Sequence, residues 1–228
     1  PIRKYLLIKK INKKFIGHTE LLQELDNKNY SNMLMYYKKL LITPLTTHIN
    51  INSITTTIKK KNYIYKRIQG LNNTLKKDFN IKNPKFLISG INPHAGENGK
   101  IGTEEIKIIL PEINKIKKSG IYIDGPISAD SMLIKNNINK YNCFIFISHD
   151  QALIPFKFIS NFSGINYTGN LSIIRTSPDH GTAYNLVGKR NVSDKSLLNC
   201  FNFIKMINKN RIYYAKTKKI TRTKFPKR

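Results

Sequence analysis

Five histidines draw attention in this 228-residue chain, because each sits in a short polar or glycine-rich motif. The motifs are Gly17-His18-Thr19-Glu20, Thr46-Thr47-His48, Asn92-Pro93-His94-Ala95-Gly96-Glu97, His149-Asp150-Gln151 and Asp179-His180-Gly181-Thr182-Ala183. Neutral imidazoles suit divalent transition metals, and three of them from separate strand ends leave coordination positions open for substrate or water. His48, His94 and His149 each follow a segment that reads as a strand end. They stand 46 and 55 residues apart, which matches no local metal-binding motif. Type and spacing leave two readings open, a shared metal centre or separate surface and core histidines.

Composition bears on that choice. Lys and Arg number 40 against 13 Asp and Glu, a net charge of +27, and Ile and Asn are also in excess. Lys, Asn and Ile share AT-rich codons, so mutational bias can raise all three and would tend to erase idle histidines. The basic residues are mostly Lys and are spread along the whole chain. We read them as compositional drift with a general attraction for small anions, and do not expect nucleic-acid binding.

The segment Ser89 to Gly99, SGINPHAGENG, carries a second signal. Its glycines permit turns that a Cβ would forbid and let a ligand approach the main chain. Backbone N–H groups at the start of the following helix can receive an anion. Lys157, Asn166 and Arg175 fall within 19 residues, each near an element end. Arg grips carboxylate or phosphate through two parallel hydrogen bonds, whereas Lys acts as a point charge. No GxGxxG, P-loop, nucleophile elbow, CxxC or HExxH pattern occurs, so a Rossmann dinucleotide site is not indicated.

The elements that must position these residues are visible in outline. Ile64, Ile68, Leu71, Leu75 and Phe79 recur at helical spacing. Lys85 to Ser89 reads as a strand entering the Gly90 to Gly102 loop, and Thr103-Glu104-Glu105 opens a helix that Pro111 should bend or interrupt. Further strands are expected at Ile121 to Ile123, Asn142 to Ile147 and Leu171 to Ile174, with a last helix over Ser193 to Ile207. Asn208 to Arg228, basic and poor in apolar residues, reads as a flexible tail. Alternating strands and helices predict an α/β layer structure with a partly parallel sheet, in which ligands bind beyond the carboxyl ends of the strands. Thr47-His48, the His94 loop, Ser148-His149 and Arg175-Thr176 all fall at such ends.

Cys143 and Cys200 look like small core residues, which makes a reducing cytoplasm the default location. The apolar runs are too short to span a bilayer. The start Pro1-Ile2-Arg3-Lys4 has no apolar stretch and cleavage site behind it, so no secretory signal is expected, and the missing initiator Met suggests a processed, trimmed or partial chain.

The motifs as a set resemble the 4-hydroxythreonine-4-phosphate dehydrogenase (PdxA) family of vitamin B6 biosynthesis. The resemblance is carried by Gly17 to Glu20, Thr46 to His48, Ser89 to Gly99, Gly102 to Glu105, Gly125-Pro126 with Ala129-Asp130, His149 to Lys157, Gly164 to Asn166 and Arg175 to Ala183. They occur in the family's order and cover about Pro1 to Ile207, leaving 208–228 as an extension. The resemblance implies a layered α/β/α fold like the isocitrate and isopropylmalate dehydrogenases, with an active site at a homodimer interface. It implies that His48, His94 and His149 bind one divalent ion (zinc, magnesium or cobalt). His18, Thr19, Lys157, Asn166 and Arg175 would hold a small phosphorylated hydroxy amino acid. Asp179, His180, Gly181, Thr182 and Ala183 would meet NAD or NADP. The implied reaction oxidises 4-phosphooxy-L-threonine and decarboxylates it to 3-amino-2-oxopropyl phosphate. A related four-carbon acid phosphate (threonate or erythronate 4-phosphate) is the alternative substrate, and an inactive truncated remnant the alternative to an enzyme. Gly169-Asn170-Leu171-Ser172 replaces the family's Leu-Gly-Leu-Pro, and Ser148 stands where Tyr is usual. The family also carries about a hundred further N-terminal residues, enough for much of one lobe.

Overall fold

The computed structural model describes residues 17–181, 184, 187–189 and 193–224. Among the described residues, seven strands form one mixed sheet: β1 (Asn32–Tyr37), β2 (Leu40–Pro44), β3 (Lys85–Ser89), β4 (Tyr122–Ile127), β5 (Cys143–Phe146), β6 (Ile165–Gly169) and β7 (Arg175–Pro178). Their order is β4-β3-β5-β2-β1-β6-β7. The first four run parallel, and β1, β6 and β7 add antiparallel pairs. The helices are α1 (His18–Leu25), α2 (Ile54–Ile58), α3 (Tyr63–Asp78), α4 (Leu110–Lys118), α5 (Lys135–Lys140), α6 (His149–Ser160) and α7 (Lys195–Lys224).

Alternation along the strands creates two cores. Leu34, Phe86, Ile88, Cys143, Ile145 and Tyr167 face α2, α3, α4 and α7, while Met33, Met35, Leu87, Phe144 and Phe146 face Ala152, Leu153 and Phe156 of α6. The expected layered α/β/α arrangement is what forms. Both cysteines are free and buried, and burial pushes the Cys143 thiol far above its ordinary range.

Several elements differ from the sequence reading. β1 and β2 are joined by Lys38 and Lys39, both at positive φ (44° and 74°), a tight hairpin turn without the usual Asn-Gly signal. The strand expected at Leu171 to Ile174 begins instead at Arg175. There the ladder is replaced by side chains: the Ser172 N–H donates to Asp26, and the Leu171 and Ser172 carbonyls accept from Arg211. The helix that opens at Glu104 does run past Pro111 to Lys118, but its regular pattern is interrupted just before the proline by a wide π turn, Glu105–Ile109, that passes into α4.

The reading of a flexible tail from Asn208 also needs correcting over 208–224, since α7 continues to Lys224, and residues 225–228 lie outside the described residues. Arg211 Nε lies 2.7 Å from Asp78 Oδ1, and its Nη2 donates to the Tyr167 hydroxyl, which in turn donates to Asp78 at 2.6 Å. Asp78 is only 2% exposed. This anchor is ionic rather than apolar, so hydropathy could not reveal it. Phe203 docks the same helix on an aromatic cluster, 4.8 Å from Tyr36 and 5.3 Å from Tyr167 between ring centroids.

Candidate active site

The strand order puts β3, β5 and β2 side by side and parallel, so the loops that follow them share one edge of the sheet. Those loops carry His94, His149 and His48. Hydrogen bonds close the seam beyond the strands: Leu45 N–H to Phe146 O, Thr46 N–H to Ile147 O, and the Thr46 hydroxyl to Ile147 O at 2.7 Å. The Ile147 N–H donates to Ser89 Oγ, which ties the third strand in. Ser148 then caps α6 through a reciprocal exchange with Gln151, placing His149 at the first position of the helix.

His48 and His149 meet across this seam, with ring centroids 6.1 Å apart. Each ring offers one nitrogen to a carboxylate. His48 Nδ1 lies 3.4 Å from Glu20 Oε1, and His149 Nδ1 lies 2.7 Å from Asp150 Oδ1. Thr47 also donates to Glu20 at 3.4 Å. A carboxylate on Nδ1 orients the imidazole and leaves Nε2 as the donor for an ion. The pair lines a cavity of about 210 Å³ together with Thr46, Thr47, Ser148 and Asp150.

His94 lies in a loop where residues 94 to 98 all have positive φ, between 44° and 80°. It is close enough to Asp130 to contribute to that carboxyl's lowered pKa, which hydrogen bonds from Ser128 and Ser131 chiefly cause. Among the described residues, no three His, Cys, Asp or Glu side chains gather closely enough to hold an ion. The donor chemistry fits a divalent metal, but within one chain it is assembled as a pair.

The other candidates divide between two ends of the sheet. Gly17 packs on His48, so close that a Cβ there would lie 3.2 Å from the ring. His18 and Thr19, in the first turn of α1, therefore adjoin the His48 side of the cavity. Asn166 and Thr168 alternate with buried Tyr167 and so face the α6 side of the sheet, where Lys157 lies in the last turn of α6. Arg175 pairs with Thr168 and donates to its hydroxyl at 3.2 Å, and burial lowers its pKa. Thr168 in turn pairs with Met33, whose carbonyl accepts from Thr43. Arg175 thus stands at the histidine edge, three strand spacings, about 14 Å, from β2. The Asn166 Oδ1 is buried with no hydrogen-bond partner.

Asp179 to Gly181 leave β7 at its opposite end, about 10 Å further along the sheet. Asp179 points inward, accepting from Ser160 and from the Gly164 N–H, both at 3.1 Å. His180 is exposed, its Nδ1 3.0 Å from the Gly181 carbonyl. Thr182 and Ala183 lie outside the described residues. The geometry does not join this segment to the histidines within one chain.

Glu20 and Asp150 were not singled out from sequence, although each adjoins a histidine inside the same short motif. That adjacency was the available signal.

With the geometry in place, comparison decides the family. Residues 1–204 match the model of the pyridoxal phosphate biosynthetic protein PdxA. The chain belongs to the PdxA family. PdxA relatives named 4-hydroxythreonine-4-phosphate dehydrogenase include those of Bacteroides thetaiotaomicron and Aquifex aeolicus. The first is 39% identical over 80% of this chain and 50% of its own length. The second is 37% identical over 90% of this chain and 62% of its own. A D-threonate 4-phosphate dehydrogenase from Pectobacterium atrosepticum is 35% identical over 75% of this chain and 52% of its own length. The crystal structure of the Klebsiella pneumoniae 4-hydroxythreonine-4-phosphate dehydrogenase superposes with a TM-score of 0.75 at 29% identity, covering 92% of this chain and 63% of that one. The chain thus spans about half to three-fifths of the length of these PdxA relatives.

Proposed function

We propose that this chain forms the metal- and substrate-binding part of an NAD(P)-dependent dehydrogenase acting on 4-phosphooxy-L-threonine in vitamin B6 biosynthesis. The observation that carries the proposal is the His48–His149 pair, each ring met at Nδ1 by a carboxylate, which leaves Nε2 as the nitrogen that would face an ion. Relatives named for this activity span most of the chain.

On this reading His48, His94 and His149 hold one divalent ion, zinc, magnesium or cobalt. When bound, the ion supplies a Lewis acid that favours ionisation of the substrate hydroxyl and steadies negative charge on the neighbouring oxygen. Glu20 and Asp150 keep the two imidazoles aimed. Arg175 and Lys157 neutralise the phosphate and carboxylate, and His18, Thr19 and Asn166 complete the hydrogen bonds that fix the reacting carbon. The reaction would turn the alcohol into a ketone, with NAD(P)+ as the hydride acceptor and the hydroxyl proton going to solvent. The β-keto carboxylate would then lose carbon dioxide and take up one proton at the carbon it leaves, giving 3-amino-2-oxopropyl phosphate. Asp179 to Ala183 would meet the cofactor.

A homodimer with the site at its interface reconciles the separate placement of His94 and of the cofactor segment. It is supported by α6, which begins at His149 and leaves Ile154 and Phe158 70% and 87% exposed, with Phe162 just beyond at 55%. No helix among the described residues is long and apolar enough to cross a membrane, and a cytoplasmic enzyme fits the two buried free thiols.

The test is NADH or NADPH formation by the purified full chain with 4-phosphooxy-L-threonine, in the presence of each ion and of a chelator. Turnover abolished by chelation and by His149→Ala is expected. The Pectobacterium relative's name makes D-threonate 4-phosphate the second substrate to assay. Turnover of neither compound in a metal-loaded dimer would sink the activity proposed.

A further inference from the structure

Glu105 lies in the wide turn before α4 and is only 2% exposed, yet its carboxylate faces the loop that follows β3. One oxygen accepts the backbone N–H groups of Ile91 and Asn92 at 2.8 and 2.9 Å, and the other accepts from Asn92 Nδ2 at 2.9 Å. The same Asn92 nitrogen also donates to Glu104 at 2.8 Å. Two glycines wrap this carboxylate so closely that a Cβ would intrude. It would sit 2.8 Å from one oxygen if built on Gly90 and 2.7 Å from the other if built on Gly96.

Immediately beyond this clamp comes the left-handed run from His94 to Asn98, four of whose five residues are not glycine. Side-chain-bearing residues avoid that region by about 1–2 kcal/mol each. Such a run persists only where its surroundings over-determine it. A buried carboxylate gripping two consecutive N–H groups is a strong constraint of that kind, because its loss would leave both donors without acceptors.

We propose that Glu105 is a positioning residue: it winds the loop after β3 and thereby aims His94. The role rests on the reading of His94 as a metal ligand. Glu105 is buried with its oxygens on Ile91 and Asn92, and acts through the backbone of residues 91 to 94.

The purified full chain is titrated with Co2+ alone, whose visible absorption reports ligand number and geometry, and amide exchange is followed in the metal-free protein. Glu105→Leu keeps the buried volume without the acceptors. It is expected to bind Co2+ about tenfold more weakly, with a changed absorption spectrum and faster exchange at Ile91 and Asn92. Glu105→Gln retains an oxygen for the two N–H groups and should recover affinity to within about threefold of wild type. If Glu105→Leu does not fold, Asn92→Ala carries the test, because it removes one donor to the carboxylate without altering the core. It must weaken Co2+ binding and speed exchange at Ile91, and wild-type behaviour there overturns the proposal. His94→Ala separates the two ideas. Unchanged Co2+ affinity in that variant overturns the metal reading of His94. Weakened binding in His94→Ala beside wild-type binding and exchange in Glu105→Leu overturns the positioning role alone.

Discussion

At the scale of single residues, the carboxylates decide how the polar side chains are used. Glu20 bridges Thr47 and His48 from α1, 28 positions earlier than His48 in the chain. Glu20→Gln is expected to weaken Zn2+ affinity about tenfold while leaving the fold intact, as measured by calorimetry with circular dichroism as the control. Asp78 shows the structural counterpart. Burial, then the neighbouring Asp78, push the Tyr167 phenol far above its ordinary range, so it stays a hydrogen-bond donor beside the Arg211–Asp78 pair. Arg211→Ala leaves Asp78 buried without its cation and should cost about 3–5 kcal/mol in urea unfolding. The double variant Asp78→Leu with Arg211→Met should recover most of that loss. A double variant as unstable as Arg211→Ala would refute the charge-pair account.

At the scale of elements, backbone conformation does what residue identity does not advertise. The turn Lys38-Lys39 holds both residues at positive φ, where Asn and Gly are better accommodated. The double substitution K38N/K39G should therefore stabilise the β1–β2 hairpin by about 0.5–1 kcal/mol, read as a rise in the urea midpoint with the slope unchanged. The hairpin matters to the site because β2 delivers His48, and because β1 links the histidine strands to β6 and β7. At α7 the lesson is different. Its docking contacts are an aromatic ring at Phe203 and a guanidinium at Arg211, so the helix is held along its length by two unlike anchors.

At the scale of the molecule, charge dominates. With a net charge of +27, self-repulsion opposes the compact state, and added salt should raise the melting temperature. Several carboxyls titrate below their ordinary values in the folded chain. The Ser172 backbone N–H lowers Asp26, Asn92 lowers Glu104, and Ser128 lowers Asp130. For Asp124, burial acts to raise the value, and hydrogen bonds from Tyr141, Tyr122 and Lys140 outweigh it. A carboxyl whose folded pKa is depressed binds protons more readily when unfolded. Its contribution is present above the unfolded value, near pH 4, and is lost as pH falls through the lower folded value. Protonation also removes negative charge from an already cationic molecule. Urea midpoints should therefore fall steeply between about pH 4.5 and pH 2.5, and a flat profile over that window would contradict this account.

Much of the architecture was legible in the sequence because it rests on local pattern. Helical spacing from Ile64 to Phe79 marked α3, and short apolar runs marked β3 and β5 with the polar motifs that follow them. The motifs also carried the family, which the match over residues 1–204 bears out. What the sequence could not supply was adjacency. The order β3-β5-β2 brings His48 and His149 together across about a hundred residues of chain, and nothing in either motif encodes which strand lies next to which. The Lys-Lys turn, the Glu105 clamp and the Asp78–Tyr167–Arg211 cluster were hidden for the same reason. Each depends on backbone torsions or on polar partners brought close only by the packed sheet, whereas hydropathy and spacing report the burial of apolar faces.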